Sequence, residues 1–204
     1  MIKILCVDDH PVVLDGLAAV IGMQADMEIA ATASTGAEAI GAFQESRPDV
    51  TILDLSLPDM TGFDVIQAIR KRDQRAKIIV LSSYDGDADI QRAFIAGAQG
   101  YVAKGLVRGE LLDAIRTVQQ GNRHIPPSIA QRLAEHMGDD AISERETQVL
   151  SLVAAGKRNK EIAAELSIAE VTVKMHLRNI LSKLNVNDRT EAVTVALRRG
   201  IIHL

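Results

Sequence analysis

Short apolar runs alternate with longer stretches of three-to-four-residue apolar spacing through the first 120 residues. The runs Lys3–Val7, Glu28–Ala33, Val50–Asp54, Ile78–Ser82 and Gly100–Ala103 predict strands. Between them, Val13–Ile21, Thr35–Glu45, Phe63–Arg70, Asp87–Ala96 and Arg108–Gln120 carry the spacing of amphipathic helices. Near-continuous apolar strands, each followed by a helix, call for a parallel sheet covered on both faces. Right-handed crossovers leave few topologies, and the expected fold is α/β, a flavodoxin-like, doubly wound, five-stranded parallel sheet.

The pattern then changes. Gly121-Asn122 ends a helix, Pro126-Pro127 blocks the next, and Ser128–Met137 has helical spacing before the polar stretch Gly138-Asp139-Asp140. From Ile142 the period is wholly helical. Ser143 and Glu146 have capping-box spacing, Val149, Leu150, Leu152 and Val153 supply an apolar face, and Gly156 stops the helix. Asn159–Leu166 is a short helix, and Ser167-Ile168 a tight break. A longer helix runs from about Ala169 to Leu184, with Val173, Leu177, Ile180 and Leu184 toward a core. Arg189–Arg199 closes the set. The expected organisation is a domain over 1–120, a linker with a short helix over 121–141, and a small all-α domain of four helices over 142–204.

Length and composition fit this division. A chain of 204 residues is comfortable for two domains of roughly 100–150 residues. No run approaches the roughly 18 apolar residues of a membrane span. The apolar N-terminus meets Asp8-Asp9 too soon for a signal-peptide core. The single cysteine, Cys6, lies inside an apolar strand, which fits an inert buried thiol and a reducing, cytoplasmic setting. Charge is split unevenly. Residues 1–120 carry 11 Lys/Arg against 17 Asp/Glu, whereas residues 142–204 carry 10 against 7. Any polyanion partner therefore belongs with the second half.

Ligands of open parallel sheets bind beyond the carboxyl ends of the strands, so the polar residues there matter. The first strand ends in Asp8-Asp9, the third in Asp54, the fourth in Ser82-Ser83, and Lys104 follows the fifth. Three carboxylates this close repel unless a cation offsets them. Hard oxygen donors suit Mg²⁺. His10, beside the acids, reads more readily as a loop residue than as a ligand or base.

This constellation resembles the receiver domain of two-component response regulators: Asp-Asp after the first strand, the Asp54-Leu-Ser-Leu-Pro turn, Ser82 and Lys104. The resemblance implies that Asp54 takes a phosphoryl group from a sensor histidine kinase. It implies Mg²⁺ held by Asp9, Asp54 and the Ser56 carbonyl, with Asp8 helping mostly through water. It makes Lys104 and the Ser82 hydroxyl partners of the phosphoryl oxygens, and Tyr101 an aromatic switch that turns inward on phosphorylation. Ser56 and Tyr84 would flank the path of a hydrolytic water. Thr61 and Gly105 depart from the usual residues beside Gly62 and Lys104. An Mg²⁺-dependent aspartyl-phosphatase shares these acids, but its Asp-x-Asp is missing from Asp8-Asp9-His10-Pro11, and no Gly-rich phosphate loop follows any strand.

In the helical half, two helices joined by a short turn, the second amphipathic and basic, fit a helix-turn-helix over about 159–178 that enters the major groove of double-stranded DNA. Lys174 and Arg178 suit guanine edges, and Met175 suits a thymine methyl. Lys160, Thr172 and Lys183 are expected at phosphates. RNA recognition through stacking is disfavoured, because the five aromatic residues all precede residue 102. This half resembles the LuxR-type effector domain, through Ser143-x-Arg145-Glu146, Asn159-Lys160-Glu161-Ile162-Ala163, Thr172-Val173-Lys174-Met175-His176, Lys183-Leu184-x-Val186 and Arg189-Thr190-Glu191-Ala192-Val193. Together the two resemblances describe a NarL/FixJ-type regulator of transcription, active as a homodimer on promoter DNA. Ala169 departs from the usual Ser or Thr cap, and Ser167 is a candidate to replace it by shifting the helix start.

Overall fold

The computed structural model describes residues 1–83, 86–105, 108–127, 129–131 and 142–203. Tyr84, most of the helix expected over Ser128–Met137 and the stretch Gly138-Asp139-Asp140 lie outside the described residues. The chain divides into two compact units, Met1–Tyr84 with Ile90–Ala130, which holds the sheet, and Asp85–Asp89 with Gln131–Leu204.

In the first unit, β1 (Ile2–Val7), β2 (Met27–Ala33), β3 (Val50–Leu53), β4 (Ile78–Ser82) and β5 (Gly100–Ala103) alternate with α1 (Pro11–Gly22), α2 (Gly36–Ser46), α3 (Gly62–Arg72), α4 (Asp87–Ala96) and α5 (Arg108–Gln119). The strands form one sheet in the order β2-β1-β3-β4-β5, with every pairing parallel. This is the flavodoxin-like order that the apolar runs predict.

β3 and β4 are buried along their whole length, which is why they read as unbroken apolar runs. Ile4, Cys6, Val50, Ile52, Ile79, Leu81 and Val102 pack with Leu17 and Ile21 of α1 and with Leu112, Ile115 and Val118 of α5. Alternate strand residues, including Leu5, Leu53 and Val80, point to the opposite face, and α3 buries Val65, Ile66 and Ile69. Each such side chain contributes roughly 1.5–3 kcal/mol on leaving water. Ile52→Ala, in the middle of the sheet, would cost about 2–5 kcal/mol.

One edge of the sheet is covered by chain just beyond α5. His124 donates its N–H to the Gln99 carbonyl (2.8 Å) and accepts from the Tyr101 N–H (3.3 Å), forming a parallel bridge with Gly100.

The second unit contains α6 (Glu144–Ala154), α7 (Asn159–Glu165), α8 (Glu170–Leu184) and α9 (Arg189–Arg198). Its core gathers Val149, Leu150 and Val153 of α6, Ile162 of α7, Val173, Ile180 and Leu184 of α8, and Ala192 and Ala196 of α9. Leu177 is only half buried at the margin of that core. Ser143 caps α6 through the reciprocal box with Glu146, and Asp188 caps α9. Among the described residues, no helix is long and apolar enough to cross a membrane.

Candidate functional site

Backbone pairing brings the acids together. The Asp54 N–H bonds the Val7 carbonyl (2.9 Å) across the β1–β3 register, and the Asp8 N–H bonds the Ala33 carbonyl (3.1 Å). Asp8 and Asp54 are therefore placed side by side, with side chains 0% and 2% exposed. Lys104 is held by its N–H to the Ser82 carbonyl (2.9 Å). Its Nζ reaches 2.7 Å from both Asp8 Oδ2 and Asp54 Oδ2. The contact with Asp54 is an aligned hydrogen bond, whereas that with Asp8 is a charge contact without such alignment.

Burial pushes the Asp54 carboxyl up from its ordinary range, and the nearby Asp8 charge adds to this, against the opposing pull of Lys104 and the Ser56 N–H. For Lys104 burial acts downward, but Asp54 and Asp8 outweigh it and hold the ammonium above its usual value.

Asp9 is one-third exposed, and His10 Nδ1 lies 2.6 Å from its Oδ1 and 3.2 Å from Asp8 Oδ1. One ligand atom from each of Asp8, Asp9, His10 and Asp54 falls within a 4.8 Å cluster. The donor set fits a hard divalent cation. Three carboxylates and one ammonium leave two negative charges over. The cluster brings together Asp8, Asp9 and Asp54, three of the residues expected to hold the ion, and His10 lies among them, closer than its reading as a loop residue implied.

Behind Asp54, the 55–61 loop is braced. Gly62 donates to the Leu55 carbonyl (2.9 Å), and a Cβ on Gly62 would stand 2.5 Å from the Asp54 carbonyl oxygen. Ser56 pairs with Thr61, which caps α3 through Asp64. Asp59 accepts the N–H groups of Gly36 (2.7 Å) and Ala37 (2.9 Å), tying the loop to the start of α2. Nothing in the local spacing marked Asp59, because its partners lie more than twenty residues away. Ser82 is buried at the end of β4, and Tyr101 is fully buried on β5.

In the second unit, α7 and α8 meet at a sharp turn in which Ser167 takes a left-handed backbone (φ 54°). Arg145 donates to the Leu166 carbonyl (2.7 Å) and pins that turn to α6. α8 starts behind Ala169 with no side-chain cap, so Ser167 does not take over as cap; its left-handed backbone serves the turn instead. Lys160, Lys174, Met175 and Arg178 are exposed, and Thr172 is half-buried. Lys174 is paired with Glu170 one turn back (3.0 Å). The phosphate-contact expectation for Lys183 meets a competing partner, because its ammonium lies 2.8 Å from Oε2 of buried Glu146. Sequence reasoning missed that pair, since its members are 37 residues apart.

An acid cluster with its lysine in one unit and a helix-turn-helix in the other are the parts of a regulator of the DNA-binding class. Residues 4–116 match the response regulator receiver domain, and residues 140–196 match the luxR family of bacterial regulatory proteins. The transcriptional regulatory protein LiaR of Bacillus subtilis is 38% identical over 211 aligned residues, covering all of both chains. The response regulator protein VraR of Staphylococcus aureus is 35% identical, over 98% of this chain and 99% of its own. Among solved structures, a LuxR-family two-component response regulator from Aurantimonas is 36% identical, with a TM-score of 0.65 over 67% of this chain and 98% of its own. RcsB of Salmonella enterica, bound to a promoter in the presence of the phosphomimetic BeF3⁻, is 25% identical with a TM-score of 0.74, over 95% of this chain and 97% of its own. The chain belongs to the two-component response regulators with a LuxR-type DNA-binding domain, and is a transcriptional regulator.

Proposed function

We propose that Asp54 is the phosphoacceptor and that its modification controls promoter binding by the second domain. The observation that carries this is the Lys104 ammonium, 2.7 Å from both Asp8 and Asp54 at the mouth of a buried carboxylate pair. In the proposed reaction an Asp54 carboxylate oxygen attacks the phosphorus of a phosphohistidine on a sensor kinase. The P–N bond breaks, and the imidazole leaves with its electron pair. Asp9, Asp54 and the Ser56 carbonyl would hold Mg²⁺, with Asp8 helping through water, and the bound ion would supply positive charge against the transferring oxygens. Lys104 exchanges its two carboxylates for a phosphoryl oxygen, and the Ser82 hydroxyl hydrogen-bonds another. Tyr101 is already fully buried in this structure, so the switch proposed for it is a change of orientation that follows Ser82 and not a first entry into the interior.

The reading extends to the partners. The chain acts in the cytoplasm as a homodimer on double-stranded promoter DNA and turns over no phosphate ester as an enzyme would. α8 enters the major groove, with Lys174, Met175 and Arg178 on base edges and Lys160 and Thr172 on phosphates. Lys183 is set aside from the contacts, because Glu146 already engages it. The domains fall at about 1–120 and 142–204.

Duplex binding by the full chain with and without acetyl phosphate tests this. Phosphorylation should change affinity for wild type and leave Asp54→Asn unmoved. Equal affinity in all four arms would overturn the proposal, as would turnover of small phosphate monoesters. Within the DNA face, Lys160→Ala should weaken all sequences alike, and Arg178→Ala should relax preference at particular positions.

A further inference from the structure

The first turn of α8 carries a side chain that the groups assigned so far leave unexplained. Val171 is 71% exposed, and Met175, one turn on, is 52% exposed. Positions 171, 174, 175 and 178 follow the i, i+3, i+4, i+7 spacing of a single helix face. That face therefore alternates two apolar side chains with Lys174 and Arg178. Val173, two residues along, is fully buried in the domain core. The two valines of this helix thus have opposite surroundings, and Val171 serves no packing need. A β-branched residue adds nothing to helix propensity there either.

Single exposed apolar residues are ordinary on protein surfaces. Val171 differs in where it stands. The second helix of a helix-turn-helix meets base edges with its N-terminal residues, and Val171 is the second residue of α8. Among the groups on the major-groove edges, the apolar one is the thymine 5-methyl. Valine in a helix is held almost wholly in one χ1 rotamer, so it loses little entropy on contact, whereas methionine must freeze three torsions.

We infer that Val171 is a specificity-determining residue that contacts a thymine methyl in the major groove, one step along the site from the base met by Met175. The inference rests on the DNA-docking reading of α8 above.

The test uses the full-length chain and duplexes selected from a randomised library. Thymines of the selected site are replaced one at a time by deoxyuridine, which removes only the methyl. Wild type should lose about fourfold in affinity at the position Val171 contacts, the worth of one buried methyl group. Val171→Ala, which keeps only its Cβ, should shrink the thymine-to-deoxyuridine difference at that position, while keeping the wild-type response elsewhere. An unchanged thymine-to-deoxyuridine ratio at every position in Val171→Ala would overturn the inference. Arg178→Ala separates the two levels. If it relaxes base preference while Val171→Ala does not, the Val171 assignment alone fails. If neither does, the docking of α8 in the groove fails with it.

Discussion

Lys183, in the last turn of α8, reaches Glu146 in the first turn of α6, with 2.8 Å between Nζ and Oε2. The same carboxylate accepts from the Ser143 N–H (2.8 Å) and hydroxyl (3.0 Å), so one buried group caps a helix and ties two helices together. Burial alone would raise its pKa, but Lys183 and Ser143 together hold it below the usual range. A depressed carboxylate stabilises the fold above the unfolded pKa and loses that contribution as pH falls through the folded one. Glu146→Gln should therefore destabilise the full chain by about 1.5–3 kcal/mol at neutral pH. The gap to wild type should close in acid. Denaturant unfolding at pH 7 and below pH ~4 checks this, and a gap independent of pH would count against it.

Lys104 neutralises one charge of an acid cluster that also suits a divalent cation. Lys104→Ala should bind Mg²⁺ at least as tightly as wild type, since a competing cation is gone. Its phosphorylation by acetyl phosphate should be slower by about 10²–10³-fold, the usual loss for one positioned charge-stabilising group. Asp9→Asn should instead lose Mg²⁺ affinity. Titration calorimetry and phosphorylation rates, measured together, separate the two effects.

Gly62 has no room for a side chain, because its Cβ would meet the Asp54 carbonyl oxygen at 2.5 Å and Leu55 Cα at 2.7 Å. Both neighbours are backbone and cannot swing aside. Gly62→Ala should cost on the order of 1–3 kcal/mol and displace the Asp54 loop. Thermal unfolding reads the first effect and acetyl-phosphate labelling the second.

Glu170 holds Lys174 at 3.0 Å on the exposed face of α8. Such a pair is worth less than about 1 kcal/mol to stability, so its removal should leave folding nearly untouched. The larger effect should fall on DNA. Glu170→Gln removes a negative charge beside Lys174, so if α8 docks on DNA as proposed, binding to non-specific duplex should tighten several-fold at low salt and converge with wild type as salt rises. Affinity measured across a salt series distinguishes this from a change in base preference.

Ala169 has the extended backbone of a capping residue (φ −72°, ψ 147°) without a side chain to accept a bond. Ala169→Ser should stabilise the second domain by about 0.5–2 kcal/mol. Hydrogen exchange of the α8 amides in the full chain checks it, and unaltered protection would show that the cap is not missed.

Sequence pattern carried the architecture because the sheet is built from elements that each announce themselves locally. β4 and β5 end where the apolar runs end, at Ser82 and Ala103. The acid cluster was legible for the same reason: strand ends in a parallel sheet converge by topology, so Asp8, Asp9 and Asp54 required no contact information. What stayed hidden depends on tertiary placement. Asp59 is an ordinary loop acid until α2 is set beside it. Lys183 looks like one more surface cation until α6 supplies Glu146. Val171 has the composition of a core residue, and only its exposure shows that it faces outward. Helix ends shifted by a residue or two, as at Thr35 and Ala169, where the capping residue lies outside the helix it begins.

The short pairing of His124 with β5 has a practical consequence for anyone recombining these modules. A chimaera joined at Gly121, just beyond α5, would discard the residues that cover the Gly100–Tyr101 edge and leave its backbone open to foreign strands. A junction beyond Ile125 would transplant the receiver with its sheet edge closed.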